Sequence, residues 1–312
     1  MKLGRAIEEY IAYRRALGEA CRTNGYILTA FARSMGNDKP IGSVRPRQVR
    51  CFLDGDGPVT ANWHGKFQAL CRFYDHAVSR GYVKSSPLPK MVPKRAPPFV
   101  PYIYSRQALR SLLQACFRYQ KKRSRTDPAT IRTLLILLYG TGLRIREAIR
   151  LTIADVDLIE RCLTVRKTKF CKSRLVPFGT QVARELSRHV AGRRHSQVPE
   201  QAPFFVTRDG RAFNKSTVEA IFGRIRDKAG VCRHDGARYQ PRIHDLRHTF
   251  AVHRLIAWYR KGADVQAWLP VLSTYLGHAH LGATAVYLTM TPVLLDEANR
   301  RFQQYALSGK RQ

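Results

Sequence analysis

The chain has 312 residues, 44% of them hydrophobic, which is enough for two domains with cores of their own. Lys and Arg number 55 against 22 Asp and Glu, a formal charge of +33 spread from Arg14-Arg15 through Lys121-Lys122-Arg123 to Arg300-Arg301, so a polyanion is the expected partner. A signal-peptide segment, a bilayer-length apolar run and an amphipathic lipid-binding segment are all lacking, which predicts a cytoplasmic protein, nucleoid-associated, with no membrane partner.

The first 85 or so residues read as a small helical domain. Ile7, Tyr10, Ile11 and Leu17 mark one helical face, Tyr26, Ile27, Phe31 and Met35 a second, and Val49, Phe52 and Leu53 a third. The fourth is the clearest, with Trp63, Phe67, Leu70, Phe73, Tyr74 and Ala77 at helical spacing before Gly81. Arginines and lysines on the polar faces (Arg14, Arg15, Arg45, Arg47, Arg50, Lys66, Arg72) offer phosphate contacts.

A basic, proline-rich stretch follows, Lys84 to Pro98, too rich in proline for a helix or a central strand. We place a linker over 86–104 and a second domain over 105–312. Ser105 is the expected N-cap of a helix bearing Leu109, Leu112, Leu113 and Phe117. Helices dominate beyond it, apart from two runs with strand character, Cys162–Arg166 and Arg174–Pro177, joined by a lysine-rich turn. The expected fold class is therefore mainly α with a small β-sheet. The seven cysteines (21, 51, 71, 116, 162, 171, 232) are scattered and never form a Cys-x-x-Cys pair, so they read as small buried hydrophobes instead of a disulfide framework or a zinc site.

Three strings carry chemistry: Gly140-Thr141-Gly142-Leu143-Arg144, then His244-Asp245-Leu246-Arg247-His248, then Leu276-Gly277-His278 with Tyr287 nine residues on. Two guanidiniums can grip the non-bridging oxygens of a phosphodiester, imidazoles and a lysine can move protons, and a phenol can attack phosphorus. Each string has a bland reading when taken alone. A glycine turn opening a helix is usually just a turn, a lone tyrosine is usually core, and His244 and His248, four apart on a helix, could share a metal. No third ligand stands near that pair in the sequence.

Together the strings resemble the tyrosine recombinase (phage integrase) family in its two-domain form, with the specific motifs confined to about residues 137–178 and 241–296. The resemblance implies a helical core-binding (SAM-like) domain over 1–85, a mixed α/β catalytic domain, and a clamp around double-stranded DNA at specific core sites. It also implies a tetramer that cuts and rejoins strands through a 3′-phosphotyrosine, with neither ATP nor a metal cofactor. Carried over residue by residue, it makes Arg144 and Arg247 the phosphate clamps, Glu147 a brace, and His244 the general base or hydrogen-bond partner. His278 becomes a phosphate ligand and Tyr287 the nucleophile. The lysine-rich turn offers three candidates for the acid that protonates the leaving 5′ oxygen, Lys167, Lys169 and Lys172, and setting Lys172-Ser173-Arg174-Leu175-Val176-Pro177 against the family's hairpin ending makes Lys169 the match.

The interval from Arg247 to His278 is several residues longer than in plainer members, a feature of recombinases from transposable elements. It favours integration or excision of a mobile element, with other recombinase subunits of that element as further candidate partners. Resolution of chromosome or plasmid dimers, a nicking-closing topoisomerase and a DNA-binding protein without catalysis are the alternatives. In the tail, Leu294, Leu295, Ala298, Phe302 and Tyr305 recur at helical spacing, and the resemblance implies that this helix docks on a neighbouring subunit.

Overall fold

The computed structural model describes residues 1–57, 59–95, 100–120, 124–166, 173–192, 199–237, 239–278, 280–289 and 292–308. The chain divides into two compact units, Met1–Phe99 and Val100–Gln312.

The first unit contains α1 (Leu3–Ala16), α2 (Arg22–Met35), α3 (Pro46–Asp54) and α4 (Ala61–Ser79). Each lays an apolar stripe on a shared core: Leu3, Ala6, Ile7 and Tyr10 from α1, Leu28, Phe31, Ala32 and Met35 from α2, Val49 and Leu53 from α3, and Leu70, Phe73, Tyr74 and Ala77 from α4. Tyr10 meets Phe73 edge to face at 5.7 Å, and the Trp63 indole N–H donates to Asp54 at 2.8 Å, so this large ring brings no unpaired donor inside. The face expected for α2 was turned too far. Tyr26 is 76% exposed, because at about 100° per residue it falls roughly 140° round the helix from Phe31, while Leu28 falls beside it. Leu17 lies beyond the end of α1 and is likewise exposed.

The second unit opens with α5 (Arg106–Ala115), capped by the Ser105 hydroxyl, which accepts from the Ala108 N–H at 3.0 Å. This helix stops at Ala115, so Phe117, expected on its buried face, is 58% exposed. Then come α6 (Pro128–Thr141) and the short α7 (Ile145–Ala148). Among the described residues the strands make one antiparallel sheet in the order β1 (Val156–Asp157), β2 (Cys162–Val165), β3 (Arg174–Pro177), with Leu163 opposite Val176 and Val165 opposite Arg174. The two-residue β1 is too short for a period-two pattern to reveal it in sequence.

Helices α8 (Thr180–Ala191), α9 (Lys215–Lys228), α10 (Asp245–Arg260) and α11 (Val265–Leu276) follow. After them stand α12 (Gly282–Ala285), a 3-10 turn over Val286–Thr289, and α13 (Pro292–Ser308). Helix α6 is buried nearly all round and packs against both α8 and α10. Its Leu134, Leu135, Leu137 and Leu138 join a core that also takes Leu163, Val176 and Leu246.

The tail does not carry a single apolar face. Leu294 is buried in a cluster with Phe250, Leu255 and Tyr287, and buried Glu297 pairs with Arg260 at 2.8 Å, so one side of α13 lies on α10 of its own chain. Leu295 and Phe302 are exposed, and the Tyr305 side chain lies outside the described residues. The cysteines also divide: Cys21 and Cys116 are buried, Cys71 and Cys162 half-buried, Cys51 and Cys232 exposed, and Cys171 lies outside the described residues. Small size lets a cysteine sit in either setting, so the buried reading was too general. Among the described residues no helix is long and apolar enough to cross a membrane.

Phe73→Ala should lower the stability of the first unit by about 3–5 kcal/mol, the usual range for emptying a buried phenyl site. Tyr26→Ala should change it by no more than about 0.5 kcal/mol. Chemical unfolding followed by far-ultraviolet circular dichroism measures both, and a comparable loss from the two would restore the face read from sequence.

Candidate active site

The site is organised by the C-terminal end of α11. A helix end leaves its last carbonyls without intrahelical partners, and here each acquires one. Gly277, at φ +68°, turns the chain back so that its own N–H reaches the Thr274 carbonyl and the His278 N–H reaches that of Ser273. The next three carbonyls take arginines from three other elements. Arg174 of β3 donates Nε to Tyr275 O at 3.0 Å, Arg247 of α10 donates Nη2 to Leu276 O at 2.6 Å, and Arg144 donates Nη2 to Gly277 O at 3.2 Å. Three cations thus converge on the negative pole of a helix. A β-carbon on Gly277 would stand 2.7 Å from the Arg174 guanidinium, so only glycine admits this approach.

The Gly140–Arg144 turn serves the same centre. Gly142 caps α6 in the left-handed region at φ +64°, and its carbonyl accepts from Arg247 Nη1 at 2.7 Å. A β-carbon there would meet Phe250 at 2.5 Å and Leu276 at 2.9 Å. The turn delivers Arg144 to the N-cap of α7, where Glu147 accepts from its backbone N–H at 3.0 Å and from Nη1 at 2.9 Å. Glu147 also accepts two bonds from Arg174, at 3.2 and 2.9 Å. Burial by itself would push the Glu147 pKa up, but Arg174 and Arg144 outweigh it and hold the carboxyl below its ordinary range.

Arg247 is only 2% exposed. Burial first and then Arg144 bring its pKa down to about 10, which leaves it a cation at neutral pH. Asp245, wholly buried at the start of α10, accepts from the Arg242 N–H at 2.8 Å. Thr249 Oγ1 accepts from the Tyr104 N–H, and the Tyr104 hydroxyl donates to Arg242 O, which fastens the beginning of this unit to the His244–His248 motif.

Four rings line the cluster. His244, exposed to solvent, meets His248 at right angles with centroids 5.0 Å apart; His248 lies 5.6 Å from Tyr287, and Tyr287 6.1 Å from His278. His278 is oriented by the fully buried Thr284, whose Oγ1 is 2.7 Å from Nδ1, and this leaves Nε2 for another partner. Burial and the adjacent arginines lower His278 to about 4 and, with His244 also contributing, His248 to about 3. His244 is lowered as well, by desolvation and by Arg247. His248 and His278 are therefore neutral at pH 7, each ring with one nitrogen that donates a hydrogen bond and one that accepts. Tyr287 is 3% exposed; burial raises its phenol, while Arg247, which also hydrogen-bonds it, and Arg144 pull it back.

Arg144, Glu147, His244, Arg247, His278 and Tyr287, singled out from sequence, thus surround one centre. Lys169 lies outside the described residues. Arg174, Thr284 and His248 were missed as parts of the site. Arg174 was read only as a hairpin ending and Thr284 not at all, and neither has a local signal, since a strand arginine or a helix threonine is ordinarily a surface residue. Among the described residues no group of three or more His, Cys, Asp or Glu is placed to hold a metal ion.

Comparison with known proteins decides the family. The model described as Phage integrase family matches residues 104–292. The chain belongs to the phage integrase family, the tyrosine recombinases. It is 34% identical over 96% of both chains to a Sinorhizobium fredii protein provisionally named integrase/recombinase y4rB. It is also 30% identical to tyrosine recombinase XerC of Oceanobacillus iheyensis, over 91% of this chain and 88% of that one. In structure it is similar to the Tn1549 transposon integrase in complex with transposon right end DNA, with a TM-score of 0.70 over 98% of this chain and all (100%) of the other at 18% identity. A lambda integrase dimer on a core site gives 0.67, over 94% and 97% at 15% identity. As a tyrosine recombinase the chain is a site-specific recombination enzyme, with the helical first unit and mixed second unit of that fold.

Gly142→Ala in this recombinase should destabilise the second unit twice over, by about 1–2 kcal/mol for a left-handed alanine and about 1–3 kcal/mol for crowding Phe250 and Leu276. Gly210→Ala, at φ +77° with nothing within 4 Å, should incur only the backbone cost. Thermal melts of both variants check the difference, and equal shifts would show that Phe250 and Leu276 yield freely.

Proposed function

We propose that Tyr287 is the nucleophile of a DNA strand exchange in which Arg144 and Arg247 hold the scissile phosphate. The observation that carries this reading is the convergence of both guanidiniums, His278 and the Tyr287 phenol on the end of α11. Each arginine spends part of its fork on backbone carbonyls or Glu147 and keeps further N–H donors for an anion. A phosphodiester entering here would meet positive charge already fixed in place. That charge stabilises the pentacoordinate transition state, an effect for which loss of one comparable donor typically costs about 2.7–4 kcal/mol.

In the proposed step the phenol oxygen forms a bond to phosphorus as the bond to the 5′ oxygen breaks, giving a 3′-phosphotyrosine and a free 5′-hydroxyl. His244 accepts the phenol proton, Lys169 gives one to the leaving oxygen, and His278 Nε2 hydrogen-bonds a non-bridging oxygen. Attack by the 5′-hydroxyl of a partner strand reverses the step, so the phosphotyrosine retains the energy of the bond and ATP has no part in it. The partner is double-stranded DNA with specific core sites. Residues 1–85, within the first unit, serve as the core-binding domain, the stretch over 86–104 as a basic linker and 105–312 as the catalytic domain.

Assembly is proposed to be a tetramer on DNA, with the exposed Leu295 and Phe302 available to a neighbouring subunit while Leu294 and Glu297 hold α13 to its own chain. The biological role is proposed to be integration or excision of a mobile element, within the nucleoid. Its support is the lengthened interval before His278, in which α10 runs to Arg260, the chain turns at Gly262, and Trp258 packs on Trp268 at 5.7 Å. Resolution of chromosome or plasmid dimers is the second reading. The assembled site speaks against a DNA-binding protein without catalysis.

Two experiments test the chemistry on a duplex that the wild-type protein selects from a random-sequence library. Tyr287→Phe should bind this duplex but form no covalent adduct stable in denaturing electrophoresis; a surviving adduct would move the nucleophile elsewhere. Lys169→Ala should cleave ordinary DNA poorly, yet recover much of its rate when sulfur replaces the 5′ bridging oxygen, because a thiolate leaves without a proton. Equal slowing on both substrates would remove Lys169 as the acid.

A further inference from the structure

Arg174 is the one arginine at the α11 end to which the proposed chemistry assigns no role. Its guanidinium side chain is only 10% exposed, and it makes three bonds: two to Glu147 and one to Tyr275 O. Glu147 is therefore shared. Oε1 accepts from Nη1 of both arginines, and Oε2 accepts from the Arg144 backbone and from Arg174 Nη2. The Tyr275 hydroxyl in turn donates to Pro177 O at 2.8 Å, so β3 is fastened to α11 from both sides.

The geometry points to Arg174 as a positioning residue that acts through Glu147 on Arg144, fixing the plane of the carboxylate and balancing its charge. Without Arg174 the whole negative charge of Glu147 would fall on Arg144 and weaken the field that Arg144 presents to an anion. The carboxylate would also lose the partner that sets its orientation, and with it the rotamer of Arg144. Lysine could restore the charge but not the bonds, since one ammonium cannot span both carboxylate oxygens and the Tyr275 carbonyl. This inference rests on the reading that Arg144 grips the scissile phosphate.

The test compares single-turnover cleavage of two duplexes of the selected sequence, one with an ordinary scissile phosphate and one with a methylphosphonate. A methyl group in place of a non-bridging oxygen removes the negative charge that Arg144 would neutralise. Arg174→Gln should slow the phosphodiester about 10²-fold, the scale of a small misplacement relayed from outside the reacting groups, while slowing the methylphosphonate only about threefold or less. Arg174→Lys should show the same selectivity in smaller measure. The ratio of the two rates is taken within one preparation, so unfolded protein cancels. A second arm adds Arg174→Gln to Arg144→Ala, where it should have no further effect if the two act as a unit. Equal slowing of both substrates, or a full additional loss in the Arg144→Ala background, would overturn the inference and leave Arg174 a packing residue. If Arg144→Ala alone cleaves at the wild-type rate, the failure belongs to the reading of Arg144 as the phosphate clamp.

Discussion

Five consecutive carbonyls at the end of α11, from Ser273 to Gly277, all find donors, and the donors define the site. The first two are closed by the chain's own turn, and the other three by Arg174, Arg247 and Arg144. Backbone oxygens are obligatory acceptors, and leaving one buried without a partner costs about 1–3 kcal/mol. The same bonds that complete the helix therefore specify where three cations stand, and the following residue, His278, is placed at their side. A substitution that loosens the helix end therefore also disperses the charge.

Such a concentration of positive charge is held in place against its own repulsion. Glu147 lies between Arg144 and Arg174, and the dipole of α11 adds partial negative charge at the point of convergence. One carboxylate among three guanidiniums leaves the cluster cationic, with Arg247 largely withdrawn from water. A buried charge without a full complement of partners is unfavourable, and on the proposed reading an incoming phosphate would supply the counter-charge. On that reading the cluster is a preorganised anion site, in which stability forgone in the free protein would be recovered on binding.

The neutral histidines belong to the same balance. Burial beside arginines keeps His248 and His278 unprotonated well below pH 7, so neither adds to the repulsion. For a neutral imidazole the question is which nitrogen carries the proton, and Thr284 engages Nδ1 of His278 to settle the direction of the ring. Tyr287, packed between His248 and His278, joins this apolar and polar boundary through its ring on one side and its hydroxyl on the other.

Much of this was legible in the sequence. The resemblance of three motif strings to the tyrosine recombinases singled out Arg144, Glu147, His244, Arg247, His278 and Tyr287, which the structure brings together, and the helical stripes of α1 and α4 follow from a 3.6-residue period. Boundaries and facing were less secure: Tyr26, Leu17 and Phe117 were placed inside because an apolar residue near a helix resembles one on its buried face. What only the tertiary structure decided was partnership across distance. Arg174 and Tyr275 are separated by 101 residues, and Arg144 and Gly277 by 133, so no local pattern in the chain records their meeting. A sequence displays the residue types that a reaction needs and the periods that bury a helix. Which carbonyl a given arginine completes depends on how sheet and helices pack, because a hydrogen bond is settled by geometry within a few tenths of an ångström and the chain order carries none of it.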